Sequence, residues 1–237
     1  MFQPVTAFQP VRALRAVAAL VRDPEDTTQV FTIIDALSGD APARLVKRLE
    51  GEPGGRRLLA KRPDIVPLLS DRAALGRLPE GTLGRAYLAF VESEGITADG
   101  LLEASKERRG QPGESAETAW MHQRLRDTHD LWHAVLGYRG DMLGESAILA
   151  FSAPQTMNPG IALIATVALH KTESPEHRRF VLDGFRRGLV AAWFPAQDWE
   201  HLLTLPVAEV RRRLRVDDPP EYTPVRPAEY KAAQMAN

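Results

Sequence analysis

Cysteine is absent from all 237 residues, and its absence excludes disulfides, thiolate metal sites and cysteine nucleophiles together. Long apolar runs are missing too. The longest, residues 161–169, contains Thr166 and is nine residues long, whereas a membrane-spanning helix needs about 20; it reads as a buried helix. Residues 1–10 carry neither Lys nor Arg and no extended apolar core, which speaks against a secretory signal. No excess of one charge exists either: 30 Lys plus Arg stand against 31 Asp plus Glu, for a formal net charge of −1. That balance removes any general attraction to nucleic acid or to an anionic membrane. A cytoplasmic location is expected. Hydrophobic residues at 44% and charged residues at 26% are ordinary globular values, and this length predicts one domain with one substantial core.

What is present is helical punctuation. Residues 10–22 place Val11, Leu14, Val17, Ala18 and Val21 at helical spacing, and Pro24 is expected to end them. Asp26 or Thr27 caps a second helix through Val30, Ile33, Ile34 and Leu37, closed by Gly39. A third follows Pro42 and is expected to stop in a loop at residues 51–55. One or two helices over 56–78 are broken near Pro63 and Pro67. Thr82 starts a helix that ends near Gly95, and Thr97 caps a short one to Ser105. After an expected loop at 106–113, the pattern predicts one long helix over 114–138, then helices over 141–157, 160–172 and from Ser174-Pro175 to Phe194. Two short helices, 198–204 and 206–215, precede a Pro-rich extended tail from about residue 217. No strand alternation occurs, so the prediction is a single all-α domain over 1–237.

The chemistry concentrates in His129-Asp130-Leu131-Trp132-His133, followed after eleven residues by Glu145. At roughly 100° and 1.5 Å per residue, His129 and His133 share a helix face, and Asp130 lies within about a quarter-turn of both. Helical metalloprotease motifs use the same spacing to share a zinc between two imidazoles. Were the helix to continue, Glu145 would stand about 18 Å further along it. Gly137, Gly140 and Gly144, with Asp141 placed to cap a new helix, predict a turn that returns Glu145 to the histidines. The plainer alternative keeps the histidines as surface or core residues and pairs Asp130 with Arg126. Two nitrogen and two oxygen donors without sulfur suit zinc, manganese, iron or cobalt. Four side chains in tetrahedral array make a closed structural site, whereas a loose carboxylate leaves a position open; the residues leave both readings standing.

These residues form the motif H-D-x-x-H followed after eleven residues by E, and the chain resembles the coenzyme Q (ubiquinone) biosynthesis protein 4 family. A second block, Leu78-Pro79-Glu80-Gly81-Thr82-Leu83-Gly84-Arg85-Ala86-Tyr87, is similar to that family's L-P-x-G-T-x-G-R-A-Y segment. The likeness extends from about Thr27 to Pro224. The resemblance implies a helical, often dimeric protein that binds a divalent metal, usually zinc, through His129, Asp130, His133 and Glu145. It implies action on a polyprenylated quinone precursor at a membrane face: loss of the ring C1 carboxylate of a polyprenyl-hydroxybenzoate, coupled to hydroxylation there. It equally implies a non-catalytic role, binding isoprenoid lipid or holding other quinone-pathway enzymes around a structural metal. With no mitochondrial presequence apparent, a bacterial-type member at the inner face of the cytoplasmic membrane is expected.

Other candidates weigh less. His122 is two turns before His129 and reads as structural. His170, His177 and His201 receive no role, and no catalytic residue beyond the metal ligands is identified. A metallohydrolase of the HD type lacks the additional distant ligands it needs. Tyr138 either touches substrate or packs on Trp132. Phe151, Met157, Ile161, Leu163, Ile164 and Val167 are an apolar stripe of core type that would alternatively line a prenyl tunnel. Arg12, Arg15 and Arg22 mark the first helix as amphipathic, for solvent, a membrane surface or a dimer mate.

Overall fold

The computed structural model describes residues 8–23, 26–100, 114–172 and 174–225. Pro24, Pro227, the first seven residues and the 106–113 segment lie outside the described residues, as does the continuation of the short helix to Ser105. The element order is α1 (Pro10–Arg22), α2 (Thr27–Leu37), α3 (Ala41–Gly51), α4 (Pro53–Lys61), α5 (Val66–Ser70), α6 (Arg72–Arg77), α7 (Leu83–Ser93), α8 (Ala116–Asp127), α9 (His129–Leu136), α10 (Met142–Thr156), α11 (Pro159–Lys171) and α12 (Pro175–Val190). A 3₁₀ turn (Phe194–Ala196), α13 (Trp199–Leu202) and α14 (Val207–Leu214) follow. The class is all-α; among the described residues the β pairing amounts to one isolated bridge, Thr82 with Pro206. None of the described helices is long and apolar enough to cross a membrane.

Side-chain caps set most helix starts. The Asp26 carboxylate accepts from Thr28 N at 3.1 Å, Ser115 Oγ from Thr118 N at 3.2 Å, and Asn158 Oδ1 from Gly160 N at 2.8 Å. Each satisfies a backbone donor that the first turn leaves without an intrahelical acceptor. Thr97 caps as expected, accepting from Gly100 N at 3.0 Å.

Four boundaries differ from the sequence expectation. Residues 56–78 hold parts of three helices rather than one or two, and Pro67 stands in the first turn of α5 rather than at a break. Residues 51–55 are not a loop, because α4 begins at Pro53, where proline's missing N–H and fixed φ suit a first turn. Gly55 lies against the Leu49 carbonyl, leaving no room for a Cβ; it serves close approach rather than a turn. The expected 114–138 helix is divided at Thr128, whose φ of −95° and ψ of 0° separate α8 from α9; its buried hydroxyl donates to Arg124 O at 2.8 Å. Finally, α12 stops at Val190, and Phe194 opens the 3₁₀ turn instead.

The chain divides into two compact units. The first, Pro42–Gly137 with Ala191–Pro219, has a core of Leu45, Val46, Leu49, Leu58, Trp120, Met121 and Trp193. In it α7 packs on α9, whose Leu131, Trp132, Val135 and Leu136 are buried. The buried Arg124 guanidinium there forms a two-pronged pair with Glu200, both contacts at 2.8 Å, and donates to Gln197 O at 3.1 Å. Burying that charge requires this degree of satisfaction.

The second unit joins residues 8–41, Tyr138–Val190 and 220–225. Ala16, Ile33 and Ile164 form one cluster in it, and Leu143, Ala150, Ala165 and Val181 another. Helices α10 and α12 pack closely because Gly184 and Gly188 face the backbone of Ala147 and Phe151. A Cβ on Gly184 would stand 2.6 Å from the Ala147 carbonyl oxygen. Gly184→Ala is therefore expected to destabilise the protein by about 1–3 kcal/mol through overpacking, although alanine is the better helix former by roughly 1 kcal/mol. Urea denaturation measures the outcome, and a stabilised variant would contradict the packing account.

Candidate metal centre

The segment Leu78–Tyr87 builds the wall against which the motif helix rests. Gly81 adopts φ +78°, and Thr82 Oγ1 then caps α7 by accepting from Arg85 N at 3.4 Å. Leu83 N and Gly84 N donate to Leu205 O and Leu203 O at 2.8 and 2.9 Å. A Cβ on Gly84 would stand 3.1 Å from that Leu203 oxygen, so the approach requires glycine. Arg85 Nη1 donates to Gly76 O at 2.7 Å, at the end of α6. Fixed in this way, α7 presents Phe90 to His133: the rings stack with centroids 5.0 Å apart and an interplanar angle of 15°.

His133 is buried, at 1% exposure. His129 meets it edge-on, centroids 4.8 Å apart, as the one-turn spacing predicts. Asp130 follows in the first turn with its Oδ1 3.6 Å from His129 Nδ1. Arg126 does not pair with Asp130 in the manner the i−4 spacing offered; it donates to Asp127 at 2.9 and 3.0 Å. Burial pushes the Asp127 carboxyl above the usual carboxylate range, against the pull of Arg126. The helix closes at Gly137 with φ +77°. Arg211 reaches its last turn, donating from Nε to Val135 O at 2.8 Å, a favourable place for a cation.

Beyond Gly137, Asp141 caps α10, accepting from Leu143 N at 3.0 Å and Gly144 N at 3.4 Å. Its carboxylate also accepts from Val225 N at 2.9 Å and Tyr222 Oη at 2.6 Å. Tyr222 Oη in turn accepts from Arg139 N at 2.8 Å. Burial, then the bond to Asp141, pushes the Tyr222 phenol far above its ordinary value. Glu145 stands in the first turn of α10, where a carboxylate also benefits from the helix dipole.

His129, His133 and Glu145 form a group able to hold a metal ion: one ligand atom from each lies within 4.8 Å of the others. Donors around a tetrahedral zinc at about 2.0–2.1 Å stand roughly 3.3 Å apart. Two neutral imidazoles and one carboxylate fit zinc and the neighbouring divalent ions. Asp130, the fourth expected ligand, stands in the first turn of α9 with its carboxylate next to the His129 ring.

The remaining candidates fall elsewhere. His122 Nδ1 contacts Glu114 Oε1 at 2.6 Å, a structural pairing. Tyr138 meets Phe180 edge-on at 5.5 Å under the Arg187 guanidinium, and Trp132 meets Phe194 at 5.2 Å. The apolar stripe does not share one face, for Phe151 and Ile164 are buried and Met157 is 63% exposed. Sequence reasoning missed Phe90, Arg211, Tyr222 and Val225. Its place as one of two tyrosines in the tail was the one signal for Tyr222.

A profile of the family described as Coenzyme Q (ubiquinone) biosynthesis protein Coq4 matches residues 4–220. The chain belongs to this family. It is 32% identical over 194 residues to the mitochondrial ubiquinone biosynthesis protein COQ4 of Pyricularia oryzae, a match covering 80% of this chain and 62% of that protein. It is 29% identical over 225 residues to the mitochondrial COQ4 homolog of Danio rerio, covering 91% and 79%. The chain thus spans less than two thirds of the fungal relative's length. The fold is similar to a crystal structure from Nostoc punctiforme, provisionally assigned to ubiquinone biosynthesis, with a TM-score of 0.64 and 24% identity over 88% of this chain and 98% of that one.

In this Coq4-family chain the turn at Asp141 governs where Glu145 stands. Asp141→Ala removes the cap and leaves the Val225 N–H and the Tyr222 hydroxyl without their acceptor. The expected cost is about 2 kcal/mol or more, read as a lowered melting temperature. Tyr222→Phe, which spares the cap, should cost less.

Proposed function

We propose that this protein is a metal-dependent carboxy-lyase of ubiquinone biosynthesis, acting on a polyprenyl-hydroxybenzoate by oxidative decarboxylation at ring C1. The observation that carries this reading is the His129, His133 and Glu145 donor group in a Coq4-family chain. The bond from C1 to the carboxyl carbon breaks and releases carbon dioxide. A C1–oxygen bond forms in its place with the oxygen of a water molecule, and the two electrons and two protons released pass to dioxygen, which leaves as hydrogen peroxide. A divalent ion held there, zinc by preference, would supply Lewis acidity for the negative charge that develops on the ring.

The chain's own residues orient and shield. His129, Asp130, His133 and Glu145 would hold the ion. Phe90 covers one face of the His133 ring and keeps water from it. The prenyl chain calls for a site near lipid. Helix α1 supports an anionic membrane face, with Val11 and Leu14 60% and 66% exposed beside Arg12, Arg15 and Arg22 and no acidic residue within it. A homodimer, and contact with other quinone-pathway enzymes at the inner membrane face, complete the proposal.

The test combines metal analysis with turnover. Purified protein should contain stoichiometric metal and convert a polyprenyl-hydroxybenzoate in the presence of dioxygen. His133→Ala and Glu145→Gln should lose both metal and product while keeping the helical circular dichroism signal. A folded protein without metal sinks the catalytic reading. Metal-site variants that still restore quinone synthesis in cells favour a lipid-binding scaffold.

A further inference from the structure

We propose that the first unit carries a second binding site, a cavity at the α4–α5 connection that takes a small organic monocation of the guanidinium or alkylammonium class. None of the residues lining it belongs to the donor group, and the inference does not rest on the metal reading.

The cavity measures about 170 Å³, with one wall from residues 62–65 and the other from residues 120–127 of α8. At about 30 Å³ per water, it has room for a group of several heavy atoms. Arg62 turns the chain out of α4 in the left-handed region, at φ +43°. The Trp120 indole then donates to Pro63 O at 3.1 Å, which fixes one wall to the other. Trp120, Pro63 and Ile65 supply apolar surface, and Asp64, Gln123 and Asp127 supply acceptors. An apolar lining with a few placed polar groups is the usual build of a small-molecule site.

The surrounding charges set the sign of the ligand. Arg124, buried in the wall, is neutralised by Glu200, and Arg62 pairs with Glu117 at 2.9 Å. Arg126 pairs with Asp127. Each of these guanidiniums has its own carboxylate, so Asp64 is the acid left over among the described residues of the cavity wall. Its carboxylate accepts from Val66 N at 3.0 Å through Oδ1, which leaves Oδ2 for a ligand. Asp127 is buried, and both Arg126 contacts, at 2.9 and 3.0 Å, fall on its Oδ1. Carboxylate oxygens placed in this way favour a group that brings positive charge and several N–H donors. An anion would add to the unmatched charge of Asp64, and a neutral solute would leave it unmatched. A guanidinium or ammonium on a short alkyl stem donates to the acidic wall while the stem lies against Trp120 and Ile65. The same chemistry recognises a free small molecule and an arginine or lysine side chain presented by another protein.

The probe is n-butylguanidinium, and n-butylurea, of the same shape without the charge, is its control. The isotope-labelled full chain is titrated with each by nuclear magnetic resonance. The Trp120 indole N–H signal, identified by its loss in Trp120→Phe, reports occupancy at the wall. The expected result is a saturating shift of that signal with butylguanidinium and none with butylurea. Asp64→Asn, whose amide oxygen still accepts from Val66 N, should bind roughly tenfold or more weakly. Asp218→Asn, which removes a carboxylate from the exposed tail, should bind as the unaltered chain does. Equal shifts with butylurea would overturn the charge requirement. Unchanged affinity in Asp64→Asn, or an equal loss in Asp218→Asn, would overturn the role of Asp64. The absence of any saturable shift would remove the site. A blocked arginine tripeptide is the last arm: tighter binding than butylguanidinium assigns the cation to a partner protein, and weaker binding assigns it to a free small molecule.

Discussion

The Asp141 carboxylate accepts from two N–H groups of its own helix, from Val225 N and from the Tyr222 hydroxyl. A buried carboxylate is tolerable only when its lone pairs are occupied in this way, and each such bond ties a different stretch of chain. The capping bonds start α10 one turn before Glu145. The bonds to 222 and 225 hold the tail over that start, and Tyr222 secures Arg139 in the preceding turn. These bonds fix the start of α10, and with it the backbone of Glu145 in its first turn.

The histidine side depends on a different constraint, the rigidity of α7. The Gly81–Thr82–Gly84 sequence allows the backbone to bond closely to residues 203–207, and Arg85 anchors the helix to the end of α6. Phe90 thereby becomes a fixed surface against the His133 ring. A metal site needs such support, since ligands held in place before the ion arrives lose less freedom on binding it. The second sequence block of the family is thus the scaffold for the first.

Features set by nearby residues were legible in the sequence. The Thr82, Asp141 and Ser174 caps, the Gly137 stop and the shared face of His129 and His133 follow from interactions within four residues of one another. Where a local signal had two physical meanings, it was read wrongly. Pro53 and the glycines after it look like a loop, yet Pro53 suits a first helical turn and Gly55 fills a close contact with Leu49. Thr128 gave no break signal, because its departure from helical geometry accompanies packing and a buried side-chain bond to Arg124 O.

By itself, then, the sequence determined the all-α class, most helix ends and the candidate donors, since period, capping and backbone freedom act over one or two turns. Only the tertiary structure decided that Tyr222 and Val225 brace Asp141, that Phe90 covers His133 and that Tyr138 meets Phe180. Those outcomes depend on groups tens of residues apart, brought together by burial and by the need to give each buried polar atom a partner. No local pattern in the sequence encodes which distant residue that partner will be.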